Sequence, residues 1–407
     1  MFEATTLYVH FTGENNMRVL LLTSANHPQV RLEGESLKQT CHITYVSINI
    51  TEWKKGLKSL FLHIHKLIMA LLNLRIPPVP LRIFLFSLIY TCYLLDKIKY
   101  ETQKYDIIYA HWLYPAGLIG LFISKILNIK LVSTPWGYDI QIIPGIDNYG
   151  LKTRNRIISK HVLLKSDAVV ANHRIHKKTI ERFLGKSCDK VKIVYIPPAI
   201  PDISQNNPTF LTPELKEKLP VEDLLKKLKV VLYSPSLRPF YGIMEFLQAA
   251  NTVSRRVSDC IFIVVGKGEL ADKAMEYVNK YKLNDKVIFV GKVSHESMKV
   301  LYNLSTLVCD FAYPGTGTTT LEALCFGKPV IAFDTPKTII AHGINGFLIK
   351  KGDHERLANY IMAILEDQKL RVKLSTNARS TFEAEFIIQK RINKLMKLFN
   401  EVLNNYG

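Results

Sequence analysis

The residues whose types and spacing point most directly to chemistry lie between Gly315 and Val330, in the run GTGTTTLEALCFGKPV. Two glycines and three successive threonines lead into apolar residues at helical spacing, Leu321, Ala323 and Leu324, with Glu322 among them. A glycine loop that feeds a helix leaves main-chain N–H groups without intrahelical partners, and the helix dipole adds positive character there. Such a loop is a ready site for phosphate. Glu322, one turn further in, can accept hydrogen bonds from hydroxyls such as a ribose diol. Together they suit the diphosphate of a nucleotide-sugar. The same spacing is also met by an ordinary strand-to-helix loop capped by threonine.

Such a loop has to be delivered by a strand, and the chain supplies strands at regular intervals. Short apolar runs at 18–23 (RVLLLT), 105–112 (YDIIYAHW), 129–134 (IKLVST), 167–171 (DAVVA) and 191–196 (VKIVYI) suit strands buried on both faces. A second series follows at 229–234, 260–265, 286–290, 306–310 and 329–333, with helical segments between its members. Strand and helix in alternation predict a doubly wound parallel sheet. The expected organisation is an extension over 1–16 before the start-like MRVLLLTSA, a first domain over 17–200, a linker over 201–228, a second domain over 229–380 and a terminal segment over 381–407. The linker is read from its prolines and charged residues. Within 388–403, Ile388, Ile392, Leu395, Met396, Phe399, Val402 and Leu403 recur at helical period, so one stripe of that helix is buried.

Residues 53–75, WKKGLKSLFLHIHKLIMALLNLR, alternate apolar residues with lysine and histidine at helical spacing. The uncharged run Ile83–Leu95 that follows the prolines has 13 residues, short of the about 20 that span a bilayer. Two readings stand: core helices of the first domain, or a face of 53–75 that rests on an anionic membrane surface.

Lys and Arg exceed Asp and Glu by 54 − 35, a net charge of +19, which favours anionic partners. No nucleic-acid-binding motif accompanies that charge, so nucleotides and acidic lipid are favoured over nucleic acid. Six scattered cysteines with no C-x-x-C pair indicate neither a zinc site nor a disulfide framework, and suit free thiols in a reducing cytoplasm. No secretory signal pattern opens the sequence.

Taken together, YDIIYAHWLYPAGLIG, TPWGYDI, PFYGIMEFLQAA, VIFVGKVSHESMKVLYNLSTLVCDF and the long run from GTGTTTLEALCFGKPV to GDHERLANYI resemble the retaining glycosyltransferases of family four. The resemblance covers nearly everything from Met17 onward and is strongest over 306–361. It implies an α/β fold of two Rossmann-like, doubly wound parallel-sheet domains (GT-B) facing across a cleft. The first domain would bind the acceptor and the second the nucleotide-sugar, with the final helix crossing back to the first.

Residue by residue, the resemblance assigns Glu322 to the ribose and the amides of Gly317, Thr318 and Thr319 to the diphosphate. Val293, in the turn Gly291–Lys292–Val293, would lie against the base, and Gly266 and Gly268 would form a turn beside the nucleotide. Some family positions differ here. Pro314 stands where a glutamate faces the donor sugar. Ser236 and Tyr241 replace an arginine and a lysine, which makes Arg238 the candidate for diphosphate charge. Trp136 replaces a histidine in a turn that keeps Gly137 and Asp139.

His111 and Asp139, on first-domain loops, are the remaining catalytic candidates. Asp139 could meet a substrate hydroxyl, or simply cap its own turn. Trp112 and Trp136 could wall a sugar or lipid, or belong to the core. No trustworthy D-x-D pair is present, so no metal and no cofactor beyond the nucleotide-sugar substrate is expected. The expected enzyme is a cytoplasmic retaining transferase, peripheral on the inner membrane face, acting on a glycan or lipid-linked acceptor. A soluble acceptor, or a nucleotide-sugar-binding scaffold subunit without turnover, remain as alternatives.

Overall fold

A computed structural model describes residues 15–24, 27–48, 63, 65, 81–99, 105–140, 153–205, 211–219, 229–313, 315 and 317–404. They divide into two compact units, residues 1–198 with 388–407, and residues 199–387.

The first unit is built on a six-stranded parallel sheet of order β2-β1-β3-β4-β5-β6. Its strands are β1 (Asn15–Thr23), β2 (Cys41–Ser47), β3 (Ile107–His111), β4 (Lys130–Thr134), β5 (Ala168–Ala171) and β6 (Ile193–Tyr195). Alternate residues serve opposite faces. Leu20, Leu22, Ile108 and Ala110 join one core, and Val19, Leu21, Ile107 and Tyr109 join the other. This double burial explains why the strands read as continuous apolar runs. Helices α1 (Pro28–Leu37), α2 (Leu81–Lys99), α3 (Leu118–Leu127), α4 (Thr153–Lys165) and α5 (Arg174–Leu184) connect them.

Leu88, Tyr90, Leu94 and Leu95 of α2 are buried in the first core, so this run is core helix. Residues 53–75, read either as core helix or as a membrane-facing surface, lie outside the described residues apart from His63 and His65. His63 is buried, with Nε2 2.6 Å from Oδ1 of Asp96 on α2. No described helix is long and apolar enough to cross a membrane.

The second unit carries a parallel sheet of order β12-β11-β10-β7-β8-β9. Its strands are β7 (Lys229–Tyr233), β8 (Cys260–Val265), β9 (Val287–Gly291), β10 (Ser305–Asp310), β11 (Val330–Phe333) and β12 (Gly346–Ile349). The connecting helices are α6 (Ile243–Ser254), α7 (Ala271–Lys280), α8 (His295–Leu304) and α9 (Thr318–Cys325), followed by α10 (His354–Glu366) and α11 (Gln368–Thr381). Again the strands feed two cores, Val231, Tyr233, Phe262 and Val264 on one face, Val230, Leu232, Ile261 and Ile263 on the other.

The boundaries differ from the sequence expectation in two places. Part of the expected linker, 201–228, belongs to the second unit: Leu211, Leu215 and Leu219 enter its core, and Asp202 pairs with Arg379. Three leucines at four-residue spacing bury one face of a short helical turn (Pro213–Lys216) despite the polar residues around them. As expected of the final helix, α12 (Ile388–Asn404) belongs to the first unit, where Ile392, Leu395, Phe399 and Val402 pack in the same core as Val19 and Leu21. β1 also begins at Asn15, inside the stretch read as an extension.

Strand order predicts where each unit presents its loops. In the second sheet β7 and β10 are neighbours, and the chain runs outward from them in opposite directions. The crevice above their carboxyl ends is the topological switch point, where open parallel sheets bind ligands. In the first sheet the corresponding position lies between β1 and β3.

Candidate functional site

In the second unit, the loop after β10 enters α9 at Gly317, whose φ of −98° and ψ of −178° are extended and which supplies no side-chain cap. Thr318 is exposed and Thr319 half-buried. Asp310, the last residue of β10, organises the loop from below. It accepts the Ala312 amide at 3.1 Å and the Thr320 hydroxyl, and the Thr320 amide also bonds to it. Burial pushes its carboxyl above the usual range, against the pull of those bonds. The helix therefore begins with Thr320 tied inward and no side chain capping the amides before it. Gly315 pairs in a parallel bridge with Lys337, and a Cβ there would stand 2.2 Å from Lys337 Cβ. Glycine is required at that position by the close approach.

Glu322 sits on α9 with its side chain only 17% exposed. The Tyr302 hydroxyl, from α8, donates to Glu322 Oε2 at 2.8 Å. His295 Nδ1, at the start of α8, lies 3.9 Å from Oε1. Burial raises the Glu322 carboxyl, with Asp310 adding to the rise, while Tyr302 and His295 oppose it. Helix α8 is fixed by Ser294, whose hydroxyl accepts the Ser297 amide at 3.2 Å, and by Glu214, which accepts from Ser294 N and Ser297 Oγ. Val293, just before this cap, is half-buried against the core.

The loop after β7 carries Arg238. Tyr233 at the strand end donates its hydroxyl to Tyr241 O at 2.8 Å, and Tyr241 N donates to Arg238 O at 3.1 Å. This pins the loop main chain and leaves the Arg238 side chain exposed. Gly266, after β8, has φ of +113°, a conformation that L side chains rarely adopt, and donates its amide to Gly291 O at 2.8 Å. A Cβ on Gly268 would lie 2.2 Å from Leu237 O, so the loops after β7 and β8 meet only because that residue is glycine. Gly266, Val293, Arg238, Gly317, Thr318, Thr319 and Glu322 thus rise from the carboxyl ends of β7, β8, β9 and β10, which are neighbours in the sheet.

In the first unit, His111 ends β3 and is fully buried. Its Nδ1 accepts Trp136 Nε1–H at 3.3 Å, which places the ring proton on Nε2, 3.6 Å from Glu33 Oε1. Glu33 also meets Arg391, described below. Trp112 follows His111 with φ of +67°, an outlier for a bulky residue, and stacks on Trp136 at 5.1 Å and 17°. His27, at the head of α1, lies 4.9 Å from Trp136, and burial followed by the neighbouring His111 lowers its pKa.

Asp139 accepts the Trp136 amide at 2.8 Å, and the Leu113 amide also bonds to its carboxylate. It therefore braces the loops after β3 and β4 against each other. Burial raises its carboxyl to about 7 against the pull of those two amides.

Sequence reading missed Tyr302, His295, Asp310, Glu33 and Arg391. Only Arg391 left a signal: it lies between Ile388 and Leu395 on the buried stripe of α12, where a charge demands a partner. The six cysteines are all free thiols. Among the described residues no group of three or more His, Cys, Asp or Glu could hold a metal ion.

Residues 216–381 match the family described as glycosyl transferases group 1, and residues 63–202 match Glycosyltransferase Family 4. An uncharacterized glycosyltransferase of Methanocaldococcus jannaschii is 25% identical over 257 residues, 61% of this chain and 62% of that protein. The match therefore spans less than two-thirds of that relative. The UDP-Gal:alpha-D-GlcNAc-diphosphoundecaprenol alpha-1,3-galactosyltransferase of Escherichia coli is 23% identical over 320 residues, 75% of this chain and 78% of that protein. Among solved structures, Anabaena Alr3699/HepE in complex with UDP-glucose superposes with a TM-score of 0.65 at 18% identity, covering 95% of this chain and 100% of that one. At that identity the likeness shows the fold.

Proposed function

Because the chain belongs to the glycosyl transferases group 1 family and has the GT-B fold, we propose that it transfers a sugar, with retention of configuration, from a nucleotide-sugar to a glycan or lipid-linked glycan. The observation that carries this reading is the α9 N-terminus, where Gly317 offers no side-chain cap, at the β7/β10 switch point with a largely buried carboxylate one turn inside. The amides of Gly317, Thr318 and Thr319 hold the diphosphate, and Glu322 accepts from the ribose. Gly266 and Val293 lie beside the nucleoside. UDP-glucose bound to the Anabaena protein, and the UDP-Gal and diphosphoundecaprenol in the Escherichia coli relative's name, support this choice of donor and acceptor class.

In the proposed step the bond from the sugar C1 to the diphosphate oxygen breaks, and a bond to the acceptor oxygen forms on the same face. The acceptor's proton passes to the departing diphosphate. The transition state resembles an oxocarbenium ion. Negative charge grows on the diphosphate as it leaves, so preorganised amides and the Arg238 guanidinium aimed at it lower the barrier. With those donors in place no metal is required, and activity is expected to survive chelator.

In the first unit, Asp139 acts through the two loops it braces, and His111 fixes the plane of the Trp136 indole. The enzyme works at the cytoplasmic face of a membrane, peripherally. Failure to float with anionic liposomes at low salt would leave core helix as the reading of 53–75.

The direct test is a thermal-shift panel of nucleotide-sugars, since a ligand bound only by the folded state raises the melting temperature. The best donor is then incubated with lipid extract, and the anomeric configuration of the product is read by NMR. An inverted product would overturn retention, and no shift with any donor would overturn the site. Pro314, Ser236, Tyr241 and Trp136 at family positions favour the scaffold reading, in which donor binds without turnover.

A further inference from the structure

We infer that Tyr302 is a positioning residue for Glu322, and that it makes the site select ribonucleotides over 2′-deoxyribonucleotides. This rests on the reading of Glu322 as the ribose contact. The Tyr302 side chain is fully buried, and a buried phenol hydroxyl needs a hydrogen-bond partner. It takes Glu322 Oε2, at 2.8 Å. The Thr319 side chain hydrogen-bonds the same hydroxyl, which links the threonine loop to the carboxylate through the phenol. The ring cannot swing away, because Phe326 packs beside it at 5.6 Å between centroids.

The consequence is an inequality between the two carboxylate oxygens. Oε2 is spent inside the protein. Oε1 is left on the side of His295, which at 3.9 Å and 55% exposure lies beyond hydrogen-bond reach and belongs to the rim. A carboxylate torsion is intrinsically broad, so a free Glu322 could present either oxygen, or neither, at a given point. The Tyr302 hydroxyl fixes the plane. Oε1 then meets a ribose diol in one orientation, and a ligand without the 2′-hydroxyl leaves a desolvated acceptor unpaired. Sites built this way reject the analogue that lacks the hydroxyl.

The test compares the affinities of a ribonucleoside diphosphate and its 2′-deoxy counterpart, using whichever of UDP, GDP and ADP binds the full-length protein most tightly. The wild type should favour the ribonucleotide by about tenfold, the size of one hydrogen bond to a charged group. Tyr302→Phe should bring that preference to about twofold or less, with the loss falling on the ribonucleotide. The preference is a ratio measured on one sample, so partial misfolding does not alter it; melting temperature is recorded alongside. An unchanged preference in Tyr302→Phe overturns the positioning role, as does an equal loss for both ligands with a lowered melting temperature. Glu322→Ala separates this from the underlying reading. If it binds both ligands as the wild type does, the ribose assignment of Glu322 fails. If it loses the preference while Tyr302→Phe keeps it, only the role of Tyr302 fails.

Discussion

Arg391 Nε donates to Glu33 Oε2 at 2.6 Å, joining residues 358 positions apart inside the first unit. Both side chains are 3% exposed. The same guanidinium donates to the carbonyls of Ile196 and Pro197 and to Asn172 Oδ1, so it is satisfied on every side. Burial alone would raise the Glu33 carboxyl. The Arg391 charge and the His111 contact outweigh it and bring the pKa from 4.5 to about 2. Arg391→Met leaves a buried carboxylate without its cation and two carbonyls without their donor, and should destabilise the first unit by about 3–5 kcal/mol. Replacing both partners, Glu33→Leu with Arg391→Met, should recover part of that loss. Chemical denaturation of the three variants checks this; a single variant as stable as the wild type would contradict it.

The pH dependence of stability should carry two opposite contributions. Glu33 has a folded pKa below its unfolded one, so its stabilisation is present above 4.5 and is lost as pH falls toward about 2. Asp139 has a folded pKa raised from 3.8 to about 7, so its contribution is greatest below 3.8 and is lost as pH rises through about 7. Asp139→Asn removes the second without touching the first. Its melting temperature should therefore decline less between pH 4 and pH 7 than that of the wild type, while the acid limb stays in place. Identical pH profiles across that window would show that Asp139 does not titrate there.

The parts of this molecule that were legible in the sequence are those determined locally. The strand runs of both sheets announced themselves because burial on two faces leaves no polar alternation. Gly317 caps the helix that carries Glu322 five residues on, so their relation is fixed by helix geometry alone. The leucines at 211, 215 and 219 were as regular, yet the prolines and charges around them masked a packed turn. Tyr302 and Asp310 were not legible as site residues. Each reaches α9 from another element, and nothing in the sequence says which buried tyrosine will face a carboxylate. The pair Glu33–Arg391 depends on the last helix packing against the first sheet, a relation the spacing of either residue cannot encode.

Glu322→Ala should weaken nucleotide binding by about 10- to 100-fold, since a hydrogen bond to a charged acceptor is worth about 1.5–3 kcal/mol. The loss should appear with the nucleoside diphosphate and the nucleotide-sugar alike, and inorganic diphosphate should be unaffected. Titration calorimetry with all three ligands reads this directly. Equal weakening of inorganic diphosphate would mean that the substitution had disturbed the amides of α9 rather than removed a ribose contact.

Arg238 offers the sharpest separation between a surface charge and a working one. Its loop is held by main-chain bonds, Tyr241 N to Arg238 O and Tyr233 Oη to Tyr241 O, so the side chain contributes nothing visible to the fold. Arg238→Ala should leave the melting temperature unchanged and lower kcat by about 10²–10³, the cost of removing one donor aimed at developing charge. Arg238→Lys should recover only part of the rate, because an ammonium cannot reproduce the planar two-point grip of guanidinium on phosphate. Binding of the unphosphorylated nucleoside should be identical in all three proteins. Full activity in Arg238→Ala would make this residue an ordinary surface arginine, and the charge on the departing diphosphate would then be met by the α9 amides without it.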